Sequence, residues 1–184
     1  MKKIYIPIIS LMAIIALLLI GLMVSILNGA PWTKGWSFDN MLNKNLKVVS
    51  DKAYPSDGIE NIDVDFSSDE VKVLLNDTDE IRVIEYMSKT SDKNDLAKAD
   101  IDNDTFKLYK EDTHFNVGFM SYYSRVEVYL PKSFSKNLAV ETTSGSIKID
   151  NDLTLVNCDL SSSSGSIKLN SLDTDKVSLK TTSG

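Results

Sequence analysis

The sequence predicts an all-β, β-solenoid-like (β-helix-like) repeat ectodomain behind one N-terminal transmembrane helix. Three observations lead to this fold class. Residues 4–33 carry no charge, apolar and polar side chains alternate from Ile59 onwards, and a nine-residue motif near the C-terminus occurs twice and begins a third time. With 184 residues, the chain is long enough for one ordinary domain and an anchor.

The apolar run Ile4–Leu27 is predicted to be a transmembrane signal anchor. Its 24 residues would span about 36 Å as a helix, whereas the hydrocarbon core of a bilayer is about 30 Å thick. Residues 1–3 hold two lysines and are predicted to stay cytoplasmic, and Trp32 and Trp36 are placed for the outer membrane interface. A cleaved signal peptide is the alternative, but its apolar region is usually only about 7–15 residues long. The predicted protein is therefore single-pass, with its C-terminal domain outside the cell.

Residues 28–58 are predicted to be a juxtamembrane linker. Glycine, proline, asparagine and aspartate punctuate this stretch, and it contains no long periodic element. Its expected role is to hold the following domain, residues 59–184, away from the lipid.

The first half of that domain is predicted to consist of short strands with one buried face. Ile62, Val64 and Phe66 alternate with acidic residues, which is the period-two pattern of a half-buried strand. Similar patterns predict strands around residues 71–73, 81–83, 105–109, 115–119 and 125–130. The polar stretch 88–104 is predicted to be a loop, and Pro131 to end the last of these strands.

The C-terminal part repeats one unit at a fixed period. The sequence TTSGSIKI around Gly145 returns as SSSGSIKL around Gly165, and TTSG at Gly184 begins it again. These three glycines are predicted to form the corners of stacked repeats, because glycine adopts backbone conformations that tight bends require. Since the third copy stops at its corner, further repeats are expected to complete the domain.

The repeat also predicts which side chains face inward and which face outward. The inward set is Val140, Ile147, Ile149, Leu160, Ile167 and Leu169. The outward set includes Lys148, Lys168 and Lys180, which we interpret as a ladder of side chains facing a ligand, with the first two stacked one repeat apart. Cys158, the only cysteine, is predicted to be a small buried apolar residue, and no disulfide can form within the chain.

Together, the Ile62-x-Val64-x-Phe66 pattern, the strand that ends at Leu130-Pro131 and the TTSGSIKI repeat resemble the putative-adhesin β-strand-repeat family, including LiaG-like proteins of Gram-positive envelopes. The resemblance covers roughly residues 59–184. It implies a β-helix-like ectodomain in a cell-surface or envelope-sensing context, and it does not imply an enzyme.

No catalytic, cofactor or metal site is predicted. His114 stands alone, Ser133-x-x-Lys136 lacks the partner motifs of penicillin-recognising enzymes, and Asp100 to Glu111 resembles a Ca²⁺ loop but has Thr105 where glycine is required. We interpret the aspartates around residue 102 as a hairpin turn instead. After position 3 the chain contains 18 basic and 26 acidic residues, which gives a net charge of −8. This negative charge disfavours nucleic-acid binding.

Two functions fit these observations. The leading hypothesis is a non-enzymatic surface interaction or adhesin module, held in the bilayer by residues 4–27, whose outward face binds an envelope protein, a sensor or a glycan. The alternative is an accessory membrane protein of an envelope-stress sensing system, in which the anchor pairs with another membrane protein through Gly21 and Ser25. No nucleic acid and no small-molecule substrate is expected as a partner.

Overall fold

A computed structural model of the chain describes residues 46–88, 96–111 and 123–184. These ranges form an all-β, ten-stranded curled sheet. The strands are β1 (Lys47–Pro55), β2 (Asn61–Phe66), β3 (Glu70–Asn76), β4 (Glu80–Met87), β5 (Lys98–Asp102), β6 (Thr105–Tyr109), β7 (Ser124–Pro131), β8 (Asn137–Thr142), β9 (Ile147–Ser162) and β10 (Ile167–Thr181).

Several predicted features lie outside the described residues, namely the apolar run Ile4–Leu27, Trp32, Trp36, His114 and the strand proposed for 115–119. Within the ranges that the structure describes, no helix has the length and apolar character needed to cross a membrane.

The sheet curls because β9 belongs to two halves at once. The first part of β9 pairs with β3, in the half ordered β1-β4-β7-β3, while its last part pairs with β8, in the half ordered β8-β2-β6-β5. β10 pairs with β9 along nearly its whole length. The sequence predicted short strands in each repeat, whereas β9 and β10 run continuously for 16 and 15 residues.

Parallel pairing dominates the middle of the sheet. β2 lies between β6 and β8, and β3 lies between β7 and β9, with all four pairs parallel. The pairs β1–β4, β4–β7 and β5–β6 are antiparallel and form the outer strands of each half. Parallel partners need long connections, so most neighbours in this sheet are distant in sequence.

The core lies between the two halves and follows the predicted alternation. Val64, Val71, Val73, Phe106, Val126 and Val128 are among its fully buried members. The predicted inward residues Val140, Ile147, Ile149 and Leu160 are buried as well, while Ile167 and Leu169 are half-buried on β10 and pack against the same core. Cys158 is buried as a free thiol among these apolar side chains, as predicted.

β1 corrects the prediction for residues 28–58. The sequence predicted a linker over that whole stretch, but Lys47–Pro55 is a strand that pairs antiparallel with β4. Its side chains are mostly exposed, so the alternation that marks a half-buried strand is weak there. Backbone pairing with β4 holds it in the sheet, and the Arg82 guanidinium adds an exposed bidentate ion pair by donating to both carboxylate oxygens of Asp51, at 2.8 and 2.6 Å.

β5 corrects the loop predicted for residues 88–104. Lys98–Asp102 forms a short antiparallel strand against β6. In the described sheet it is an edge strand, and most of its residues are exposed, which is consistent with its polar composition. Asn103 adopts a positive φ of 56° at the connection, which asparagine tolerates better than most residues. The hairpin turn predicted at these aspartates is therefore confirmed.

Candidate functional site

The predicted corners Gly145, Gly165 and Gly184 stack on one another, and the first stacks on Asp69. A Cβ atom on Gly145 would overlap the carbonyl group of Asp69, and one on Gly165 would overlap the carbonyl group of Gly145. Among the described glycines, the positive φ belongs to Gly58 and not to a corner residue, so the corners do not need glycine for an unusual backbone conformation. They need it because neighbouring corners approach too closely for any side chain, which corrects the reason given above.

A column of hydroxyl groups ties the corners together. Thr142, Ser162 and Thr181 each accept a hydrogen bond from the corner glycine three residues later, at 3.0, 2.8 and 3.1 Å. Ser162 and Thr181 also donate to the carbonyl oxygens of Gly145 and Gly165, in the preceding corners. The side chains of Thr142 and Ser162 are buried, so their hydroxyl groups satisfy backbone groups that water does not reach.

The predicted lysine ladder is formed by two of its three members. Lys148 and Lys168 are register partners on β9 and β10, and Lys72 on β3 extends the column on the other side of Lys148. The Asp150 carboxylate forms ion pairs with the Nζ atoms of Lys72 and Lys148, at 3.3 and 3.1 Å. Burial raises the pKa of Asp150, but these two ammonium groups outweigh it and hold the pKa below its usual value. The column is therefore partly neutralised rather than uniformly cationic.

Lys180 does not belong to this column. It pairs in register with Ser161, which in turn pairs with Glu141 and so with Asp65 on β2. This row lies on the other half of the curled sheet. Because β9 and β10 continue through the bend, residues 12 positions apart on β10 lie on different halves.

An asparagine ladder, not predicted from the sequence, runs across that second half. Asn157 donates to Asn137 at 2.7 Å, and Asn137 donates to Asn61 at 2.9 Å. The first two are 20 residues apart, the period of the repeat, which is the signal that could have identified them. Stacked amides of this kind link three strands through their outward side chains.

Beside this ladder lies a shallow polar trough of about 320 Å³. Ala139 lies between Asp63 and Asp159 in the register of the sheet, and its side chain is smaller than theirs, so we describe it as the floor of the trough. The other residues of the lining are Asp63, Val140, Glu141, Asp159, Ser161, Ser178 and Lys180; the Val140 side chain itself is buried in the core. Of the predicted ligand-facing lysines, Lys180 is the one that lines this trough. The trough therefore combines carboxylate, hydroxyl and ammonium groups on an exposed surface.

The other residues considered in the sequence, the aspartates of the β5–β6 hairpin and Cys158, have contacts that stabilise the fold. Asp100 accepts a hydrogen bond from Tyr109 at 2.7 Å, and Asp102 forms an ion pair with Lys107, so these carboxylates cross-brace the β5–β6 hairpin. Burial raises the pKa of Cys158 to about 11, which keeps its thiol protonated at neutral pH. Among the described residues, no three metal-binding side chains converge on one point.

Residues 59–184, more than two thirds of the chain, match the family profile described as Toastrack DUF4097. The chain belongs to this toastrack family. The matched range contains both ladders, the corners and the trough. Among curated proteins, no significant match exists.

Matches among solved structures include proteins described as adhesins. A putative adhesin from Bacteroides fragilis is 17% identical with a TM-score of 0.47, and the match covers 76% of this chain and 60% of that one. A putative cell adhesion protein from Clostridium sporogenes is 10% identical with a TM-score of 0.41, covering 73% and 100%. A putative adhesin from Parabacteroides merdae is 15% identical with a TM-score of 0.40, covering 73% and 60%.

Proposed function

We propose that the protein is a membrane-anchored, non-enzymatic interaction module of the cell surface, whose toastrack domain binds an envelope glycan in the trough over Ala139. In this proposal residues 4–27 hold the chain in the bilayer, and the domain lies outside the cell. The stacked repeats then act as a β-solenoid, which presents regular rows of side chains to an extended ligand.

The observation that carries this proposal is the composition of the trough. Sugar hydroxyl groups both donate and accept hydrogen bonds. Asp63, Glu141 and Asp159 supply acceptors, Ser161 and Ser178 supply groups that do both, and Lys180 supplies donors. These side chains come from four neighbouring strands, so an extended chain lying across the strands meets several of them in succession.

Binding is tested with the full chain reconstituted in lipid vesicles and sedimented with purified envelope polysaccharide. Asp159→Ala removes an acceptor, and Ala139→Leu fills the floor of the trough, so both variants are expected to weaken binding roughly tenfold, the equivalent of about 1.4 kcal/mol. Lys168→Ala, on the other half of the sheet, is the matched control and is expected to bind like the wild type. Equal binding by all four proteins overturns the trough as the binding surface.

The anchoring part of the proposal has its own test. Protease added to intact cells is expected to remove the toastrack domain and to leave the N-terminal segment in the membrane. Protection of the whole chain, or its release into the medium as a form cleaved after the apolar run Ile4–Leu27, contradicts the proposed topology.

A further inference from the structure

A buried cluster of charged side chains joins three parts of the sheet that are distant in sequence. Lys110 follows Phe106 and Leu108 in the inward alternation of β6, although residue 110 lies just beyond the strand. Glu85 takes an inward position on β4, between Val83 and Met87. Asp69 forms the first corner of the stack, immediately before β3. The surface ladders described above use none of these three residues.

The Lys110 side chain lies within ion-pairing distance of both carboxylates. The Lys110 ammonium nitrogen Nζ is 2.5 Å from Asp69 Oδ1 and 2.7 Å from Glu85 Oε1. It also lies 5.8 Å from the centre of the Phe66 ring. The side chains are 16%, 7% and 1% exposed for the lysine, the aspartate and the glutamate, so the cluster is nearly dry.

Other contacts hold both carboxylates in place. The Ser124 hydroxyl donates a hydrogen bond to Asp69 Oδ1. The backbone N–H of Ala97 donates to Glu85 Oε2 at 3.0 Å, which leaves Oε1 directed at the lysine. Burial lowers the pKa of Lys110, but the carboxylates of Asp69 and Glu85 outweigh it and raise the pKa, so the three side chains first meet as an ion pair.

A lysine amine held against one carboxyl group, with a second carboxylate beside it and water excluded, is arranged for condensation. Fixed proximity of this kind replaces a slow encounter between reactants. The dry surroundings also favour a neutral amide over a buried ion pair, since burying charge is costly. We propose that Lys110 and Asp69 form an intramolecular isopeptide bond, with Glu85 as the proton-transferring group.

The reaction needs no co-reactant. The Lys110 ammonium transfers one proton to the Asp69 carboxylate, giving a neutral amine and a neutral acid. The amine nitrogen then bonds to Asp69 Cγ, and Glu85 removes the second proton from that nitrogen. Glu85 returns this proton to the departing hydroxyl group, the Cγ–O bond breaks, and water leaves. One N–C bond forms, one C–O bond breaks, and Glu85 ends as a carboxylate.

Ser124 has a defined place in this scheme. Its hydroxyl donates to Asp69 Oδ1, the same oxygen that faces the Lys110 ammonium, and so holds the carboxyl group in position for the attack. The resulting bond would connect the first corner of the stack to the end of β6, 41 residues along the chain. It would supply a covalent brace in a chain whose single cysteine cannot form an internal disulfide.

Mass spectrometry of the full-length protein, purified folded and then denatured, tests the proposal. The expected mass is lower than that of the sequence by one water molecule. Trypsin is expected to yield a branched peptide that joins residues 53–72 to residues 108–125, because an acylated Lys110 is not cleaved. Lys110→Arg keeps the positive charge and Glu85→Gln keeps the side-chain size, and both are expected to lose the branched peptide. Lys72→Arg, at a surface ion pair, is the matched control and should retain it.

Two results would overturn the proposal. One is an unchanged mass in wild-type protein whose folded state is confirmed by circular dichroism. The other is a loss of water confined to the linear peptide 53–72, because the Asp57-Gly58 pair in that peptide loses water when it cyclises to a succinimide. A branched peptide that persists in Glu85→Gln would retain the bond but remove Glu85 from the reaction.

Discussion

The Ser162 hydroxyl connects two corners of the stack, donating a hydrogen bond to the carbonyl oxygen of Gly145 at 3.0 Å and accepting one from the N–H of Gly165 at 2.8 Å. Gly145 precedes Ser162 by 17 residues, and Gly165 follows it by three. One small side chain thus fixes both the shape of a corner and its distance from the previous corner. The closeness of that approach explains why each corner residue above the first is glycine.

Replacing Gly165 with alanine is therefore expected to destabilise the domain by about 3 kcal/mol, the upper end of the overpacking range. The added methyl group would overlap the backbone carbonyl of Gly145, which cannot move without shifting the neighbouring corner. Denaturant unfolding of the full chain measures the change. Ser164→Ala, at the adjacent exposed position, is the control and should change the free energy of unfolding by less than about 0.5 kcal/mol. Similar values for the two variants would contradict the stacked corner.

The asparagine ladder predicts a smaller effect. Asn137→Leu removes one hydrogen bond to Asn61 and one from Asn157, so a loss of about 1–2 kcal/mol in the free energy of unfolding is expected. Asn170→Leu removes a single exposed hydrogen bond to the Asp150 carbonyl and is expected to cost less. If Asn170→Leu proves the more damaging of the two, the ladder does not stabilise the sheet.

Glu70 predicts a dependence of stability on pH. Burial raises the pKa of Glu70, but hydrogen bonds from Tyr123 and Arg125 outweigh it and lower the pKa overall. The folded state therefore binds its proton less readily than the unfolded state. The resulting stabilisation is present above the unfolded pKa and is lost as the pH falls through the folded pKa. The stability advantage of the wild type over Glu70→Gln should shrink from neutral to acidic pH in denaturant titrations, and an advantage that is constant with pH would refute this role.

Cys158 provides a reporter of unfolding. The residue is 2% exposed, and burial raises the pKa of its thiol to about 11, so a neutral-pH alkylating reagent meets neither an accessible thiol nor a thiolate. Labelling of the folded chain is expected to be slow, and to accelerate as denaturant opens the sheet. As this is the only cysteine, the mass gained reports one site. Rapid labelling without denaturant would place the thiol outside the core.

The repeats were predictable because the residues that stack on one another are nearly identical and recur at a fixed spacing in the sequence. Ile147 and Ile167 are register partners, as are Lys148 and Lys168. By contrast, β1 was missed because its side chains are mostly exposed, so no apolar alternation marks it. Lys180 was placed in the wrong row because the sequence does not reveal that β10 continues through the bend.

The buried cluster was missed for a different reason. Glu85 and Lys110 each occupy an inward position of a strand pattern, which sequence analysis could have noticed as a charge out of place. Asp69, however, looks like an ordinary turn residue in Ser67-Ser68-Asp69. Only the fold shows that this corner is covered and that the three side chains meet.

The interleaved order of the strands has a consequence for how the chain assembles during synthesis. β2 and β3 are synthesised early. On one of its two edges, however, each pairs with a strand that is synthesised much later: β2 with β8, and β3 with β9. Early strands thus wait with open edges while some 60–80 residues are added, and contacts this distant in sequence slow folding. The acidic residues Asp63 and Asp65 alternate through β2 during that interval, and their mutual repulsion would keep unfinished chains from pairing with one another.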